Sequence, residues 1–214
     1  MNDLQRTPEW YAERLGKLGA SRIADATART KAGWGSSRAN LMAELLIERL
    51  TGEPAPRYTN AAMDWGTEKE PEAITVYEFE KNVTVEPIGF CPHPRIADSG
   101  ASPDGMVGLD GLLECKCPQT ATHIDTLLGA AIDEKYTKQV QWQMACTGRK
   151  WCDWMSYDPR LPVNLRVVIR RVERDEAMIT KLEREAAEFL GELSDRHERL
   201  VKIASSRDSI KVAA

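Results

Sequence analysis

The chain has 214 residues, a length that fits one sizeable domain better than two small ones. With 42% hydrophobic and 29% charged residues it has an ordinary globular composition, and no apolar run is long enough to span a bilayer. A formal net charge of −4 excludes a protein coated in positive charge for non-specific nucleic-acid binding, but not a site that concentrates carboxylates and makes local basic contacts.

The first residues, Met1-Asn2-Asp3-Leu4-Gln5-Arg6, lack the basic-then-apolar pattern of a secretory leader, so a cytoplasmic location is expected. Thr7-Pro8-Glu9 starts a helix: a capping hydroxyl, proline at the first helical position, then an acid. That helix ends near Gly16, and Gly19-Ala20-Ser21 turns into a second short helix with Ser21 as its cap. Residues 30–37, rich in Gly and Ser, read as an exposed loop. An amphipathic helix follows from about Arg38 to Leu50, with Leu41, Met42, Leu45, Leu46 and Leu50 on its apolar side, until Thr51-Gly52-Glu53-Pro54 stops it. Residues 60–80 read as helical, with Pro71 as an interior break or a second start, and Val83 to Phe90 alternates as a strand.

Further on, a helix is predicted near 121–130 and another over Asp133–Thr147. Strands over Trp151–Tyr157 and Leu165–Val172 come next, and a long amphipathic helix closes the chain from about Asp175 to Ile203. This order predicts an α/β fold, a central mixed sheet of about five strands with helices on both sides, and residues 1–214 as a single domain. Arg22, Arg29, Lys31 and Arg38 form one local basic cluster; Arg166, Arg170, Arg171 and Arg174 form another.

The segment from Ser102 to Cys117 carries the chemistry. Asp104 precedes Glu114-Cys115-Lys116 by ten positions, with apolar residues and Asp110-Gly111, a hairpin signal, between them. Folding there lays Asp104 beside the strand of Glu114. Residues i and i+2 of a strand share a face, so Glu114 and Lys116 point the same way. Leu112, Leu113, Cys115 and Cys117 read as core, and a buried Glu and Lys need a partner or a metal. Two hard oxygen ligands and an ammonium fit a Mg²⁺-dependent phosphodiester hydrolase. The five cysteines contain no CxxC pair, so a zinc or iron–sulfur site is the weaker alternative.

Six ordered stretches resemble the lambda exonuclease family, also called YqaJ-type viral recombinases, within the PD-(D/E)xK nucleases. They are Trp10-x-x-x-Arg14-Leu15-Gly16-x-x-x-Ala20-Ser21, Trp65-Gly66-x-x-x-Glu70, Ser102-Pro103-Asp104-Gly105, Leu113-Glu114-x-Lys116-Cys117-Pro118, Gln139-Val140-Gln141 and Tyr157-Asp158-Pro159-Arg160. The resemblance implies a restriction-endonuclease-like fold and a Mg²⁺-dependent exonuclease, in a bacterial or phage-infected cell. Such an enzyme degrades linear double-stranded DNA from its 5′ end, releases mononucleotides and leaves 3′ single-strand overhangs for recombination. It also implies two Mg²⁺ ions per site, with Mn²⁺ as a substitute, a homotrimer ring, and a single-strand annealing protein as partner; no membrane is involved.

By motif match, Glu70, Asp104 and Glu114 are the metal carboxylates, Lys116 the catalytic lysine, and Gln139 faces the attacking water or scissile phosphate. Arg14 and Ser21 hold the 5′-terminal phosphate, where a guanidinium matches the phosphate oxygens. Arg29 lies near the single-strand path, and Met63 stands where the family has an apolar strand-separating wedge. The chain departs from the family at Thr122, where a basic residue is expected. The Tyr157–Arg160 turn is shared, without an assigned role. Two rival readings are an endonuclease or 3′-directed nuclease on the same fold, and a non-catalytic DNA-binding or assembly module.

Overall fold

A computed structural model describes residues 4–31, 33–56 and 60–212. The first helix, α1 (Pro8–Arg14), starts as predicted: the Thr7 side chain accepts a hydrogen bond from the Trp10 N–H at 3.2 Å. Gly16 turns the chain at a φ of 68°, and its N–H donates to Glu48 at 2.8 Å. A short strand, β1 (Leu18–Gly19), and a 3-10 turn over Ala20–Arg22 lead into α2 (Ile23–Ala26). Ser21 is not a helix cap. It is the exposed middle residue of the 3-10 turn, and neither helical start here carries a side-chain capping bond.

Short strands and a helix start lie within the expected loop over residues 30–37, of which residue 32 lies outside the described residues. β2 (Arg29–Thr30) and β3 (Gly33–Trp34) pair antiparallel, and α3 (Ser36–Thr51) begins two residues ahead of the predicted start. Leu41, Met42 and Leu45 of α3 are buried, whereas Leu50 in its last turn is 44% exposed. Asn60 caps α4 (Ala61–Lys81) through its side chain, which accepts from the N–H groups of Ala62 and Met63. Pro71 neither breaks nor restarts this helix; the buried face of Ala73 and Tyr77 against the sheet outweighs the missing N–H.

The predicted strand from Val83 to Phe90 is reduced to β4 (Val85–Glu86), and β5 (Cys91–Pro92) follows. Pro87 cannot donate to a ladder and stands where the pairing stops. β6 (Ser99–Ala101), β7 (Gly105–Val107) and β8 (Gly111–Lys116) come next, then α5 (Thr120–Leu127) and α6 (Glu134–Thr147). Asp133 caps α6 by accepting from the Lys135 N–H at 2.9 Å, and Gly148 closes it at a φ of 72°. β9 (Trp151–Tyr157) has its predicted limits; β10 (Val167–Glu173) starts two residues later than expected, after a 3-10 turn over Val163–Leu165. The last helix, α7 (Glu176–Val212), extends beyond its predicted end.

The main sheet has five strands, the number expected, and their order is β10-β9-β8-β7-β4. β8 and β9 run parallel, and the other neighbours are antiparallel, so the sheet is mixed. Its faces bury different partners. Leu113, Cys115, Met155 and Tyr157 pack with Ala73 and Tyr77 of α4. Leu112, Cys152 and Trp154 pack with Val140 and Met144 of α6. Glu114 and Lys116 have the parity of Leu112, so they point to the α6 side. A third apolar cluster joins α2, α3, α6 and α7 around Trp142 and Phe189.

The hairpin forms, but its turn glycine is Gly108, at a φ of 55°, not Gly111. Gly111 pairs with Val107 inside the ladder, and a Cβ built there would lie 2.2 Å from the Trp151 ring. Arg171 stacks on that ring at 3.5 Å, which hinders its retreat. Gly111→Ala is therefore expected to cost about 1–3 kcal/mol by overpacking. Urea unfolding measures this; a midpoint equal to wild type would show that Trp151 yields freely.

Candidate active site

Four elements bring the predicted residues together. Asp104 lies immediately before β7, and its Oδ2 accepts from the Cys115 N–H of β8 at 2.6 Å. That bond is anchored between Glu114 and Lys116, so the hairpin sets Asp104 beside both. Glu114 is only 2% exposed. Its Oε1 accepts from the Lys116 ammonium and from Gln139 Nε2 at 2.6 Å, and its Oε2 accepts from Gln143 Nε2 at 2.6 Å. Gln139 and Gln143 stand one turn apart on α6, on the face that meets β8. The Lys116 ammonium also lies 5.0 Å from the Tyr136 ring centre.

Glu70, near the middle of α4, completes the group. Its Oε2 accepts from Arg6 at 2.8 Å. Arg6 sits at a φ of 64°, unusual for a residue with a side chain, between two anchors. On one side Gln5 donates to the carbonyls of Ile88 and Pro103 at 2.9 and 2.7 Å; on the other Thr7 caps α1. A cavity of about 480 Å³ lies beneath this segment, lined in part by Gln5, Arg6, Glu70 and Asp104.

The electrostatics are those of crowded like charges. Burial first, and then Glu114 and Glu70, push the Asp104 carboxyl well above its usual range. Glu70 is also raised, by burial and by Glu114, with Arg6 opposing. Burial works against the charge of Lys116, but Glu114 and Asp104 outweigh it and raise its pKa. Hard oxygen donors that repel one another fit a divalent cation such as Mg²⁺. Among the described residues no three His, Cys, Asp or Glu side chains are already arranged around an ion position. Glu114 and Glu70 are turned to Lys116, the two glutamines and Arg6.

A groove of about 460 Å³ opens on this group, lined in part by Met63, Glu70, Lys116 and Tyr136. Met63 is 53% exposed there, in the first turn of α4. Arg14 stacks on Trp10 at 3.9 Å, and the Trp10 indole N–H donates to Ser102 Oγ at 3.0 Å, so Arg14 is tied to the Asp104 segment. Ser21 lies in the nearby 3-10 turn, without a helix N-terminus to strengthen it. Arg29 is not brought to the carboxylates by any contact of its side chain among the described residues. It stacks on Trp34 at 3.7 Å and pairs with Glu185 of α7 at 3.5 Å.

The two basic clusters are mostly structural. Arg22 pairs with Asp25 and Glu44, Arg38 with Glu192, and Arg171 with Asp153. Arg166 and Arg170 donate to backbone carbonyls. Sequence reasoning missed Arg6 and Gln143. Gln143 had a signal, the helical i, i+4 spacing from Gln139; Arg6 had none, because its partner is 64 residues away. Gln141, in the matched motif, serves the fold: it accepts from the Asp175 N–H at 2.9 Å and donates to the Glu173 carbonyl at 2.7 Å.

The Tyr157–Arg160 turn also acquires a structural role. Tyr157 donates to Glu72 at 2.6 Å. Arg160 donates to Asp158 through Nε at 2.7 Å and to the Pro118 carbonyl at 3.0 Å, and its guanidinium lies over Trp65 at 4.5 Å. This clamp holds the start of α4 against the segment that follows Lys116. All five cysteines are free thiols.

The domain profile described as YqaJ-like viral recombinase matches residues 9–150. No curated protein sequence matches the chain. Among solved structures, an alkaline exonuclease (LHK-Exo) from Laribacter hongkongensis is 48% identical, with a TM-score of 0.86, covering 94% of this chain and 99% of that one. LHK-Exo in complex with dAMP matches at 48% identity over the same shares, with a TM-score of 0.87. A phage-related exonuclease from Haemophilus somnus 129PT shares the fold at 15% identity, with a TM-score of 0.67, over 88% of this chain and 96% of that one.

The clamp generates a stability expectation. Arg160→Ala takes the guanidinium from the buried Asp158 carboxylate, leaving it the residue-160 backbone N–H and Thr120, and should cost about 1–3 kcal/mol. Arg160→Lys should recover only part of that, because an ammonium cannot reproduce the planar fork. Thermal and urea unfolding of both variants measure the effect; wild-type stability in Arg160→Ala would remove the clamp from the account.

Proposed function

Because the chain belongs to the YqaJ-like viral recombinase family, we propose that it is a Mg²⁺-dependent exonuclease that digests linear double-stranded DNA from 5′ to 3′. The observation that carries this reading is the convergence of Glu70, Asp104, Glu114 and Lys116 from three separate parts of the chain into one cluster, of which Glu70 and Lys116 line the groove. The similarity to an alkaline exonuclease supports nuclease activity. The dAMP bound by LHK-Exo supports release of mononucleotides.

In this reading Glu70, Asp104 and Glu114 hold two Mg²⁺ ions, for which Mn²⁺ substitutes. When bound, the ions lower the pKa of water and offset charge on the phosphate oxygens. Lys116 stays protonated beside Glu114 and donates to the scissile phosphate or the incoming water. Gln139 orients that water through its amide. Arg14, presented on the face of Trp10, holds the 5′-terminal phosphate, and Ser21 contributes its hydroxyl alone. Met63 serves as the apolar wedge at the mouth of the groove, and Arg29 guides the separated strand. Digestion of one strand leaves a 3′ overhang, the substrate of a single-strand annealing protein in recombination. The family resemblance supports a homotrimer ring. We read residues 1–214 as one domain, since α6 packs against the sheet as well as α2 and α7.

The rival readings make different demands. A non-catalytic module has no need of four charged groups crowded together at the cost of desolvation. An endonuclease or 3′-directed enzyme has no need of a terminal phosphate pocket. Asp104→Ala, Glu114→Ala and Lys116→Ala should each abolish cleavage of linear duplex DNA in Mg²⁺ while the protein still binds DNA ends. A near wild-type rate in any one of them removes that residue from the site.

The end preference rests on Arg14. A charge-assisted contact of this kind contributes about 1.5–3 kcal/mol. Arg14→Ala should therefore slow digestion of 5′-phosphorylated duplex about ten- to a hundredfold and affect 5′-hydroxyl duplex much less. The ratio of the two rates in wild type and variant decides: no preference in wild type, or a preference unchanged in the variant, makes Arg14 structural.

A further inference from the structure

Gln143 is fully buried in α6, among the buried Trp142, Met144 and Ala145, yet it is polar. Its amide N–H reaches Glu114 Oε2 at 2.6 Å, and its Oε1 finds no hydrogen-bond partner among the described residues. A leucine or methionine of similar volume would leave no orphaned oxygen. The reason for an amide at this position is therefore Glu114, not the apolar core around it. Its one partner is the most deeply placed carboxylate of the candidate site.

The other donors to Glu114 are arranged differently. Lys116 and Gln139 are both only partly buried, and both bond to Oε1. Among the described residues Gln143 alone bonds to Oε2, from the core side. The two oxygens are thus distinguished: one is pinned inward, and the other is held by Lys116, which lines the groove, and by the half-buried Gln139. Lys116 lines the groove and Gln139 is half-buried; in the proposed reaction both are donors that substrate chemistry would engage, so neither can fix the carboxylate plane throughout a cycle. Gln143 is shielded from solvent and can.

We propose that Gln143 is a positioning residue that locks the Glu114 carboxylate with Oε1 toward the groove, in the orientation required for a divalent cation. This rests on reading Glu114 as a metal carboxylate. Residues that orient metal ligands from behind typically change metal affinity or activity ten- to a hundredfold when removed. The neighbouring Gln141 supplies an internal control, since among the described residues its amide joins β10 to the start of α7 and not to the carboxylates.

The test is calorimetric titration of Mn²⁺ into the full-length protein without DNA, for wild type, Gln143→Leu, Gln143→Met and Gln141→Leu. Circular dichroism first establishes which are folded, and the methionine variant serves if the leucine variant is not. Gln143→Leu or Gln143→Met should bind Mn²⁺ about ten- to a hundredfold more weakly. Gln141→Leu should lower the melting temperature without changing Mn²⁺ affinity. In cleavage assays the Gln143 variants should need more Mg²⁺ for half-maximal rate, with KM for duplex DNA unchanged. A folded Gln143 variant that binds Mn²⁺ as wild type does overturns the proposal, and so does an equal loss in Gln141→Leu. Wild-type protein that binds no Mn²⁺ overturns the metal reading itself, a different result from either.

Discussion

A carboxylate buried in the middle of a core strand is the constraint around which this molecule is arranged. Glu114 keeps its charge out of water only because three donors meet it: an ammonium from its own strand and two amides from α6. Their geometry fixes how α6 lies on the sheet. The two glutamines must face β8, which turns Val140 and Met144 onto the same sheet face and leaves Trp142 for the helical cluster beyond. Packing and polar satisfaction thus agree on one placement of the helix, the kind of consistency that specifies a unique fold.

Asp104 shows the same economy. Its carboxylate accepts from the Cys115 backbone N–H, and that bond joins the segment before the hairpin to the strand after it. The like-charge crowding of Asp104, Glu114 and Glu70 opposes folding, and the protein answers it with Lys116 from the same strand and with Arg6, 64 residues from its partner. Arg6 reaches Glu70 because Gln5 and Thr7 hold the chain on either side of its left-handed backbone. Such strain at a site persists only where the surroundings over-determine it, and here they do. A group of acids that repel one another and are held apart by donors is poised for a divalent cation.

Around that centre, aromatic faces serve as platforms for guanidinium groups. Trp10 carries Arg14, Trp65 carries Arg160, and Trp151 carries Arg171. These are planar contacts that a lysine would not reproduce. In the first case the platform is bonded through Ser102 to the segment that ends in Asp104, so the group proposed to hold a DNA end and the group proposed to cut share one rigid connection.

The sequence by itself determined the elements whose causes are local. Thr7-Pro8 starts α1, Asp133 and Gly148 bound α6, and alternation marks β9, because caps and periodicity act within a few residues. Asp104, Glu114 and Lys116 were legible together for the same reason, since one hairpin joins them; Glu70 was legible only through its motif. What tertiary structure decided is which side chains answer which charges. Nothing local tells that Arg6 turns to Glu70, that Arg38 is spent on Glu192, or that Gln143 meets the carboxylate while Gln141 fastens β10 to α7. Ser21 shows the limit from the other side: its composition suits a cap, but packing of the chain into a 3-10 turn gave it no helix to cap. A buried polar group is satisfied by whatever donor the fold delivers, and in this chain those donors arrive from residues that the sequence keeps far apart.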